Sequence, residues 1–370
     1  MLGRRYLAQD ALTIADLRHQ ALRRLPWAVA EVLEGGAEEE LTLAANRQAF
    51  HKLRFRPHVL RPVTPHPLPL AIAPTGFAGL FAAKGDQALA RAAAHAGVPF
   101  CQSTVSNATL EEIAPLATSG HWLQVYVFQD EAFMTNLLAR AKSAGITRII
   151  VTLDATTFGN REWDRRNFTP SGKLRLRPTI EALRHPHWLW HVRRGGLPTM
   201  GNLAAYLPAG KGNLPAATEW SRQQIATNLS PHDIAKIRQT WQGELWIKGV
   251  LRADDALDLA KLGVDGFIVS NHGGRQLDGS IASLTALPAI RSAIPEHPLW
   301  IDGGIRRGTD IAKARLLGAD GVLTGRATLY GLAAAGQSGV TRALEILAQE
   351  YNRTLAQLGS SDAKDSSLLG

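Results

Sequence analysis

A histidine and an arginine three residues apart give the strongest indication of chemistry in this chain. His272 and Arg275 lie in residues 270–279, whose sequence SNHGGRQLDG contains three glycines. The segment follows an apolar run at residues 264–269 that is typical of a buried strand. We therefore expect a proton acceptor, the imidazole, and a fixed cation, the guanidinium, to face one bound molecule at a strand's carboxyl end. The glycines allow the backbone to approach a planar ligand.

Two further glycine-rich turns follow apolar runs near the end of the chain. The sequence DGGIRRG begins at Asp302, and TGR begins at Thr324. If these turns follow the seventh and eighth strands of a barrel, they bind phosphate through backbone N–H groups and a helix N-terminus. Arg306 and Arg326 would then add charge-assisted hydrogen bonds. The alternative is a pair of tight turns that hold no ligand.

A second set of polar residues lies on earlier runs. Gln124 and Tyr126 alternate along one run and Thr152 and Asp154 along the next, so each pair shares one face of its strand. Lys248, inside a fifth run, is costly to bury unless it is paired or meets an anionic ligand. Taken singly, each residue has a purely structural explanation. Taken with the histidine and the arginine, they predict one site.

Short β-rich runs alternate with helix-like stretches along most of the chain. The eight predicted strands are residues 68–73, 98–101, 122–127, 148–153, 245–250, 266–269, 299–301 and 321–323. This alternation favours parallel pairing, and eight repeats favour a closed (β/α)8 TIM barrel over an open doubly wound sheet. We predict a single domain over residues 1–370, with the barrel at residues 67–350.

Three segments lie outside the repeat. Residues 1–66 are predicted to form N-terminal helices, one capped by Thr13 and one opened by Pro26. Residues 155–230 form a long loop inserted after strand 4; loops of this length are usually lids, binding elements or disordered segments. The tail at residues 352–370 is rich in small polar residues and is predicted to be disordered.

Composition limits the class of protein. The 370 residues are 45% hydrophobic and 20% charged, which excludes collagen, coiled coil and global disorder. The one cysteine, Cys101, excludes an internal disulfide and a cysteine-ligated metal, and no metal site is predicted. Because no signal peptide and no spanning helix is apparent, we expect a cytoplasmic protein.

The net charge of +9 is concentrated in one segment. Residues 165–196 contain eight Lys and Arg against one Glu, together with Trp188 and Trp190. Basic residues mixed with tryptophan suit an anionic membrane surface or, less well, nucleic acid. A solvated basic loop is the third interpretation. We expect no nucleic-acid partner, and we keep open a peripheral contact of residues 184–196 with the inner face of the cell membrane.

Taken together, the motifs resemble those of the FMN-dependent α-hydroxy-acid oxidoreductases, which include glycolate oxidase, L-lactate dehydrogenase and (S)-mandelate dehydrogenase. The matching motifs are APTG, QVYV, TLD followed by GNRE, IKGV, SNHGGRQLDG, DGGIRRGTD and the final GADGV and TGR. The match runs from about residue 7 to about residue 351. It implies an FMN enzyme that oxidises an L-2-hydroxy acid to the 2-keto acid.

The resemblance also implies a role for each site residue. His272 would be the catalytic base, supported by Asp154, as a hydride equivalent passes to flavin N5. Arg275 and Arg161 would hold the substrate carboxylate, and Tyr126 its hydroxyl group. Lys248 would stabilise the reduced flavin ring. The positions that match cofactor-binding positions are Ala73, Pro74, Thr75, Gly76, Ser103, Gln124, Thr152, Lys248, Ser270, Asp302, Gly303, Gly304, Arg306, Gly325 and Arg326.

Two positions bear on the substrate and the electron acceptor. Val32 stands where the family usually has a second carboxylate-binding tyrosine, which predicts a bulkier or less polar substrate. Gly76 stands where many oxidases have alanine. Together with the sequence HPHWLW from His185, it favours a dehydrogenase that passes electrons to quinone over an oxidase that makes hydrogen peroxide. Members of the family are commonly homotetramers, so we expect that assembly.

Three alternatives remain at this stage. An enzyme on the same scaffold would oxidise a substrate without a simple carboxylate, such as a modified peptide. An enzyme similar to IMP dehydrogenase would need a catalytic cysteine in a loop, whereas Cys101 is placed at the end of a strand. A non-enzymatic, basic surface-binding protein would carry no flavin.

Overall fold

A closed barrel of eight parallel strands, paired in sequence order, forms the centre of the molecule. The computed structural model describes residues 8–169, 173–195, 199–207 and 214–370, without the side chains of residues 214–218. The strands are β1 (Leu70–Ile72), β2 (Phe100–Ser103), β3 (His121–Val125), β4 (Arg148–Thr152), β5 (Glu244–Val250), β6 (Gly266–Val269), β7 (Leu299–Ile301) and β8 (Gly321–Thr324). The predicted (β/α)8 barrel is therefore confirmed.

Helices surround the barrel and cover one of its ends. They are α1 (Ile14–Arg24), α2 (Trp27–Glu34), α3 (Leu41–Lys52), α4 (Gly85–His95), α5 (Leu110–Ile113), α6 (Glu131–Ser143), α7 (Glu162–Asn167), α8 (Leu176–Ala182), α9 (Pro186–Gly195), α10 (Leu214–Gln224), α11 (Pro231–Thr240), α12 (Ala253–Ala260), α13 (Ser283–Ala293), α14 (Gly308–Leu316), α15 (Arg326–Ala335) and α16 (Gln337–Leu358). No described helix is both long and apolar enough to span a membrane.

The strand register separates an aromatic layer from a polar layer inside the barrel. The aromatic layer lies at the amino-terminal end, where the rings of Trp122 and Trp246 flank the guanidinium of Arg148, 4.2 Å from each ring centroid. At the carboxyl end, Ser103 is the register partner of Gln124, and Thr152 is the partner of Lys248. Alternation along parallel strands thus brings the polar side chains to one end of the barrel, where TIM-barrel enzymes have their active sites.

The N-terminal helices begin where the capping residues predict. Thr13 and Asp16 form a capping box at the start of α1, and α2 follows Pro26. Further along, the carboxylate of Asp278 caps α3 by accepting hydrogen bonds from the N–H groups of Leu41 and Thr42, at 3.2 and 2.8 Å. The loop after β6 is thereby fastened to the helices over the barrel. Residues 1–7 of this region lie outside the described residues.

The long insertion after β4 contains α7 to α10, connected by irregular segments. Of the basic segment at residues 184–196, Gly196 lies outside the described residues, as do residues 170–172, 197–198 and 208–213 of the insertion. The indole N–H of Trp188, in α9, donates to the carbonyl of Leu80 at 2.8 Å. The basic helices are therefore attached to the segment that follows the turn after β1.

The prediction of a disordered tail at residues 352–370 is wrong. Helix α16 continues to Leu358, and a short 3-10 helix covers Ser366–Leu368. The amide of Arg56 donates to the carbonyl of Leu368 at 2.7 Å, and Phe55 and Leu369 form an antiparallel bridge. Ala363 and Leu368 are buried. The small polar residues conceal a few apolar ones, and burial of these orders the segment.

Candidate active site

One cavity of about 320 Å³ opens at the carboxyl end of the barrel. Besides Val32, twenty site residues were predicted from the sequence, and all but two of them line this cavity. The lining includes Val32, Ala73, Pro74, Thr75, Gly76, Ser103, Gln124, Tyr126, Thr152, Arg161, Lys248, His272, Arg275, Asp302, Gly303, Gly304, Arg306, Gly325 and Arg326. The two exceptions, Asp154 and Ser270, lie one hydrogen bond behind it, as described below.

Asp154 and His272 form a partly buried pair. The imidazole Nδ1 lies 3.0 Å from the carboxylate Oδ1 of Asp154. The carboxylate accepts a hydrogen bond, so Nδ1 carries the proton and Nε2 is left as the basic nitrogen. Burial lowers the pKa of His272 more than the Asp154 carboxylate raises it. The imidazole is therefore neutral near pH 7 and competent to accept a proton.

The carboxylate of Asp154 stays ionised. Burial by itself would raise its pKa, but the interactions with His272 and then with Lys248 bring the pKa below its usual value. Its second oxygen, Oδ2, is buried and has no hydrogen-bond partner among the described residues. A fixed negative charge directly behind the imidazole stabilises the imidazolium that proton transfer creates.

The backbone at His272 holds an unusual conformation. Its φ is +57°, in the left-handed region that non-glycine residues seldom occupy. Two neighbours fix it: the side chains of Asn271 and Asn46 bond to each other at 2.8 and 2.9 Å, and the amide of His272 donates to Ser270 Oγ at 3.0 Å. Conformations of this kind persist where the surroundings determine them, and they cluster at functional sites.

Lys248 is buried in the floor of the cavity with two partners. Its Nζ donates to Ser270 Oγ at 2.7 Å and lies 3.0 Å from Asp302 Oδ2. Burial alone would lower the pKa of Lys248, but Asp302 and Asp154 raise it above its usual value. The lysine is therefore a permanent cation. Ser270 does not line the cavity; it connects Lys248 to the backbone of His272.

Two guanidinium groups, those of Arg275 and Arg161, lie close together beside the end of α2. Arg275 Nη1 donates to the carbonyls of Val32 and Gly35, at 3.0 and 2.6 Å, at the end of α2. Arg161 Nε donates to the backbone carbonyl of Arg275 at 3.3 Å. Burial, followed by the charges of Arg161 and Arg326, pulls the pKa of Arg275 well below its ordinary value. Like charges this close indicate an anionic ligand.

A chain of side-chain hydrogen bonds crosses the strand ends between β2 and β4. Ser103 Oγ donates to Gln124 Oε1, and Gln124 Nε2 donates to Thr152 Oγ1, each at 3.0 Å. These polar groups are buried and line the cavity. They present donors and acceptors to the edge of a planar heterocycle.

The glycine-rich turns after β7 and β8 lead into two helices, α14 and α15. At the start of α14, the carboxylate of Asp310 accepts hydrogen bonds from the amides of Arg306 and Arg307. The carboxylate of Glu350 accepts one from the amide of Gly308. The amides of the two residues before α14 and of its first residue are therefore satisfied within the protein. The helix that begins at the cavity lining is α15, whose N-cap is Gly325 and whose first residue is Arg326. The helix N-terminus available to an anion is that of α15.

The two arginines at this end have different surroundings. Arg326 donates to the carbonyls of Leu33, Gly35 and Gly273, and thus binds α2 to the barrel. Burial and then the charge of Arg306 lower the pKa of Arg326 to about 10. Among the described residues, the Arg306 guanidinium donates only to the carbonyl of Ile305. Arg306 thus keeps donors for a phosphate, whereas Arg326 contributes mainly charge.

Several atoms around the cavity are buried and lack hydrogen-bond partners among the described residues. They include Thr75 Oγ1, Asp302 Oδ1 and Thr324 Oγ1. Buried polar atoms are normally satisfied, so unpaired ones at a cavity indicate a ligand that supplies the missing bonds. The polar ring edge, the ionised lysine and the cationic far end fit the heterocycle, ribityl chain and phosphate of FMN.

Apart from Arg161, the sequence did not identify the residues of the insertion that line the cavity. Phe158, Met200, Ser221, Arg222 and Ile225 face the cavity. Three of these five side chains are apolar. No spacing in the sequence indicated them, because the path of a long irregular segment is decided by its contacts with the barrel.

The fold and this cavity define a flavin-binding TIM-barrel oxidoreductase. The family model of the FMN-dependent dehydrogenases matches residues 21–368, and the chain belongs to that family. FMN is its cofactor.

Individual relatives include both dehydrogenases and oxidases. The chain is 40% identical over 362 residues to L-lactate dehydrogenase of Pseudomonas aeruginosa, covering 93% of this chain and 94% of the relative. Its fold is similar to the crystal structure of the monotopic membrane protein (S)-mandelate dehydrogenase, with a TM-score of 0.92 and 36% sequence identity. The match covers 98% of this chain and 99% of the mandelate dehydrogenase chain. A mandelate oxidase structure shows 32% identity and a TM-score of 0.82, with coverage of 97% and 98%.

Proposed function

We propose that the protein oxidises an L-2-hydroxy acid of the lactate or mandelate type to the 2-keto acid. The observation that carries the proposal is the convergence of a neutral, carboxylate-backed imidazole and two guanidinium groups on one side of the FMN cavity. A hydroxy acid offers these groups its hydroxyl proton and its carboxylate. The similarity to lactate and mandelate dehydrogenases supports the substrate class.

The chain supplies the acid–base chemistry. FMN, when bound, supplies the acceptor for the two electrons that leave the substrate. Nε2 of His272 takes the proton, and Asp154 stabilises the resulting imidazolium through the 3.0 Å bond to Nδ1. Burial raises the pKa of the Tyr126 phenol, so Tyr126 stays a hydrogen-bond donor to the substrate oxygen. Lys248 holds a positive charge beside the cofactor ring.

The substrate carboxylate binds to Arg275 and Arg161. The bonds from Arg275 Nη1 to Val32 and Gly35 fix the plane of its guanidinium and leave Nη2 and Nε for a two-point contact. Arg161 is anchored to the same loop through its bond to the Arg275 carbonyl. The end of α2 thus orients the Arg275 guanidinium, which in turn orients the substrate carboxylate.

Val32 makes the cavity apolar beside this clamp. Its side chain lines the cavity next to the guanidinium that its own carbonyl positions. A hydroxyl donor at this position would add about 1 kcal/mol to carboxylate binding. Its absence favours a substrate with a bulkier or less polar side chain. Val32→Tyr should shift the ratio of kcat/KM towards small hydroxy acids, and an unchanged ratio would refute this role for Val32.

The outer surface of the basic helices supports a peripheral contact with an anionic membrane. Leu176, Ile180 and Leu183 are 75, 52 and 67% exposed and follow one another at helical spacing, and Trp190 is 53% exposed. Arginines flank them. Exposed apolar and cationic groups together favour insertion at a lipid headgroup layer. A membrane quinone would then be the electron acceptor, and the location would be the inner face of the cell membrane.

Vesicle co-sedimentation tests this surface. We expect the protein to bind vesicles of anionic phospholipid, and binding to fall when residues 184–196 are deleted, with flavin reduction retained. Equal binding by the deletion variant would exclude this segment as the anchor. Light scattering after size exclusion tests the proposed homotetramer in the same preparation.

Rapid anaerobic mixing tests the reaction itself. L-Lactate, L-mandelate and a long-chain L-2-hydroxy acid should each bleach the absorbance of the oxidised flavin at a rate that reports substrate preference. Admitting oxygen then measures reoxidation: slow recovery indicates a dehydrogenase, whereas fast recovery with hydrogen peroxide indicates the oxidase alternative. Failure of every 2-hydroxy acid to reduce the flavin would overturn the proposal and favour a substrate without a simple carboxylate.

A further inference from the structure

Arg222 lines the same cavity as His272 but has no role in the proposed reaction. It lies in the last turn of α10, and its side chain is exposed at the cavity mouth. Its guanidinium makes no hydrogen bond or ion pair with any residue that the structure describes. Its one contact of note is with Phe158, whose ring centroid lies 5.8 Å from the guanidinium carbon. A guanidinium that faces a cavity without a hydrogen-bond or ionic partner is available to an anionic ligand.

The backbone beneath Arg222 is firmly attached to the barrel. Ile225 forms an antiparallel bridge with Phe128, which lies two residues after Tyr126. The carbonyl of Gln224 accepts the amide of Gln129 at 2.7 Å, and the amide of Ala226 donates to the carbonyl of Val127 at 2.8 Å. The end of α10 therefore keeps a fixed position beside the strand that carries Tyr126.

These attachments place Arg222 on the substrate side of the cavity. Phe158, its ring partner, lies between Asp154 and Arg161 in the chain, both of which belong to the substrate side. The phosphate end is formed by different segments, the turns after β7 and β8. Arg222 is therefore positioned to meet a substituent of the substrate and not the cofactor phosphate.

The positive charge of the cavity lining exceeds, by about one unit, the negative charge of the lining carboxylates, the FMN phosphate and one substrate carboxylate together. Six cationic side chains line the cavity, against the carboxylates of Asp164 and Asp302. The FMN phosphate carries about −1.5 to −2 charges near neutral pH. One substrate carboxylate adds a single further negative charge. The apolar side chains of Met200 and Ile225 also line this side of the cavity. This combination suits a substrate whose apolar spacer ends in a second anion.

We propose that Arg222 is a specificity-determining residue that binds a second carboxylate at the far end of the substrate side chain. The substrate class is then a 2-hydroxy acid with a short apolar spacer and a terminal carboxylate. This inference rests on the proposed oxidation of 2-hydroxy acids. It assigns Arg222 no part in proton transfer or in binding the first carboxylate.

A matched pair of substrates tests the proposal by kinetics. L-2-Hydroxyglutarate has the terminal carboxylate, and L-2-hydroxyhexanoate has a methyl-terminated chain of similar length. We expect Arg222→Gln to lower kcat/KM for the diacid by about tenfold or more, as for the loss of a charged hydrogen bond. The value for the monoacid should change less than about twofold, because its far end makes no such bond. Arg222→Lys should restore part of the preference.

Arg166→Gln is the control variant. Arg166 lies on the same insertion, is exposed and pairs with Glu162, but does not line the cavity. Its substitution should leave the ratio of the two substrates unchanged. Equal losses for both substrates in Arg222→Gln would overturn the proposal, because they would mean that Arg222 attracts anions generally. No loss for either substrate would overturn it as well.

Product binding provides a readout that is independent of turnover. Calorimetry with 2-oxoglutarate and 2-oxohexanoate, which carry no hydroxyl group to oxidise, should show tighter binding of the diacid to the wild type. The difference should be lost in Arg222→Gln. If the flavin is not reduced by any 2-hydroxy acid but the diacid still binds through Arg222, the proposed reaction fails while the anion site stands. If neither oxo acid distinguishes the two proteins, the role of Arg222 is refuted.

Discussion

Replacing Asp154 by asparagine isolates the electrostatic part of the proposed proton transfer. The amide has the size of the carboxylate, and its Oδ1 still accepts a hydrogen bond from Nδ1 of His272. The substitution therefore removes the negative charge and keeps the contact at 3.0 Å. Because Asp154 does not line the cavity, substrate binding should be little affected.

The expected loss follows from the separation of the charges. A unit charge on the imidazolium and one on the carboxylate, about 4 Å apart at an effective dielectric constant of about 20, attract by about 4 kcal/mol. The transition state carries part of the imidazolium charge, so about 2–4 kcal/mol of its stabilisation is lost. Since about 1.4 kcal/mol is a factor of ten, kcat should fall about 30- to 1000-fold.

The pH dependence gives a second measure of the same contact. The neutral imidazole is the active base, so kcat/KM falls as the pH drops through the pKa of His272, which burial lowers and Asp154 raises. Removing the carboxylate lowers this pKa further and should move the acidic limb of the profile to lower pH.

Stopped-flow flavin reduction from acidic to neutral pH provides both values. The control is Asp258→Asn, which changes an exposed carboxylate paired with Lys261. A loss in kcat of less than about tenfold would refute the reasoning, as would an acidic limb that does not move.

Three further predictions concern the cofactor turn, the barrel base and a buried carboxylate. A Cβ at Gly76 would lie 2.8 Å from Val105 Cγ2. Gly76→Ala should therefore weaken FMN binding by about tenfold through overpacking, and adding Val105→Ala should restore it. Equilibrium dialysis of FMN with the single and the double variant measures both effects, and equal FMN affinities of the two variants would contradict the prediction. Arg148→Gln should lower the free energy of unfolding by about 1–2 kcal/mol, since the guanidinium lies over two tryptophan rings, while kcat stays unchanged; a change in kcat with no change in urea midpoint would contradict this. Burial raises the pKa of Asp86 to about 6, so the stability it contributes is present below its unfolded pKa of about 3.9 and is lost as the pH rises through 6; Asp86→Asn should reduce this pH dependence in urea titrations, and an identical slope in both proteins would contradict the assignment.

The strands were predictable because each is a short apolar run between turn-forming residues. β6 and β7 have the predicted bounds, and β4 differs by one residue. The period-two pattern placed Gln124 and Thr152 correctly on the inner face. In a parallel barrel the carboxyl ends of all strands lie at one rim. The motifs at those ends can therefore be predicted to lie close together even when the paths of the loops are not known.

The tail shows where local composition misleads, and the start of α14 shows what a local motif leaves open. The small polar residues after Leu358 indicated disorder, yet Leu368 is buried and its carbonyl accepts a backbone hydrogen bond from Arg56. The glycine-rich turns predicted phosphate binding at a helix N-terminus without indicating which helix. At the start of α14, the backbone amides donate to Asp310 and to Glu350, the latter some forty residues further along the chain.

The sequence by itself determined the barrel, and it predicted the flavin-binding turns and the groups proposed for acid–base and anion chemistry. These features depend on residue type and on spacing within a few residues. Only the tertiary structure decided that burial lowers the pKa of His272, that Arg275 is oriented by the end of α2, and that Arg222 and Phe158 line the same cavity. The physical reason is that burial, charge and contact belong to pairs of segments distant in the chain, and no local pattern records the distance between them.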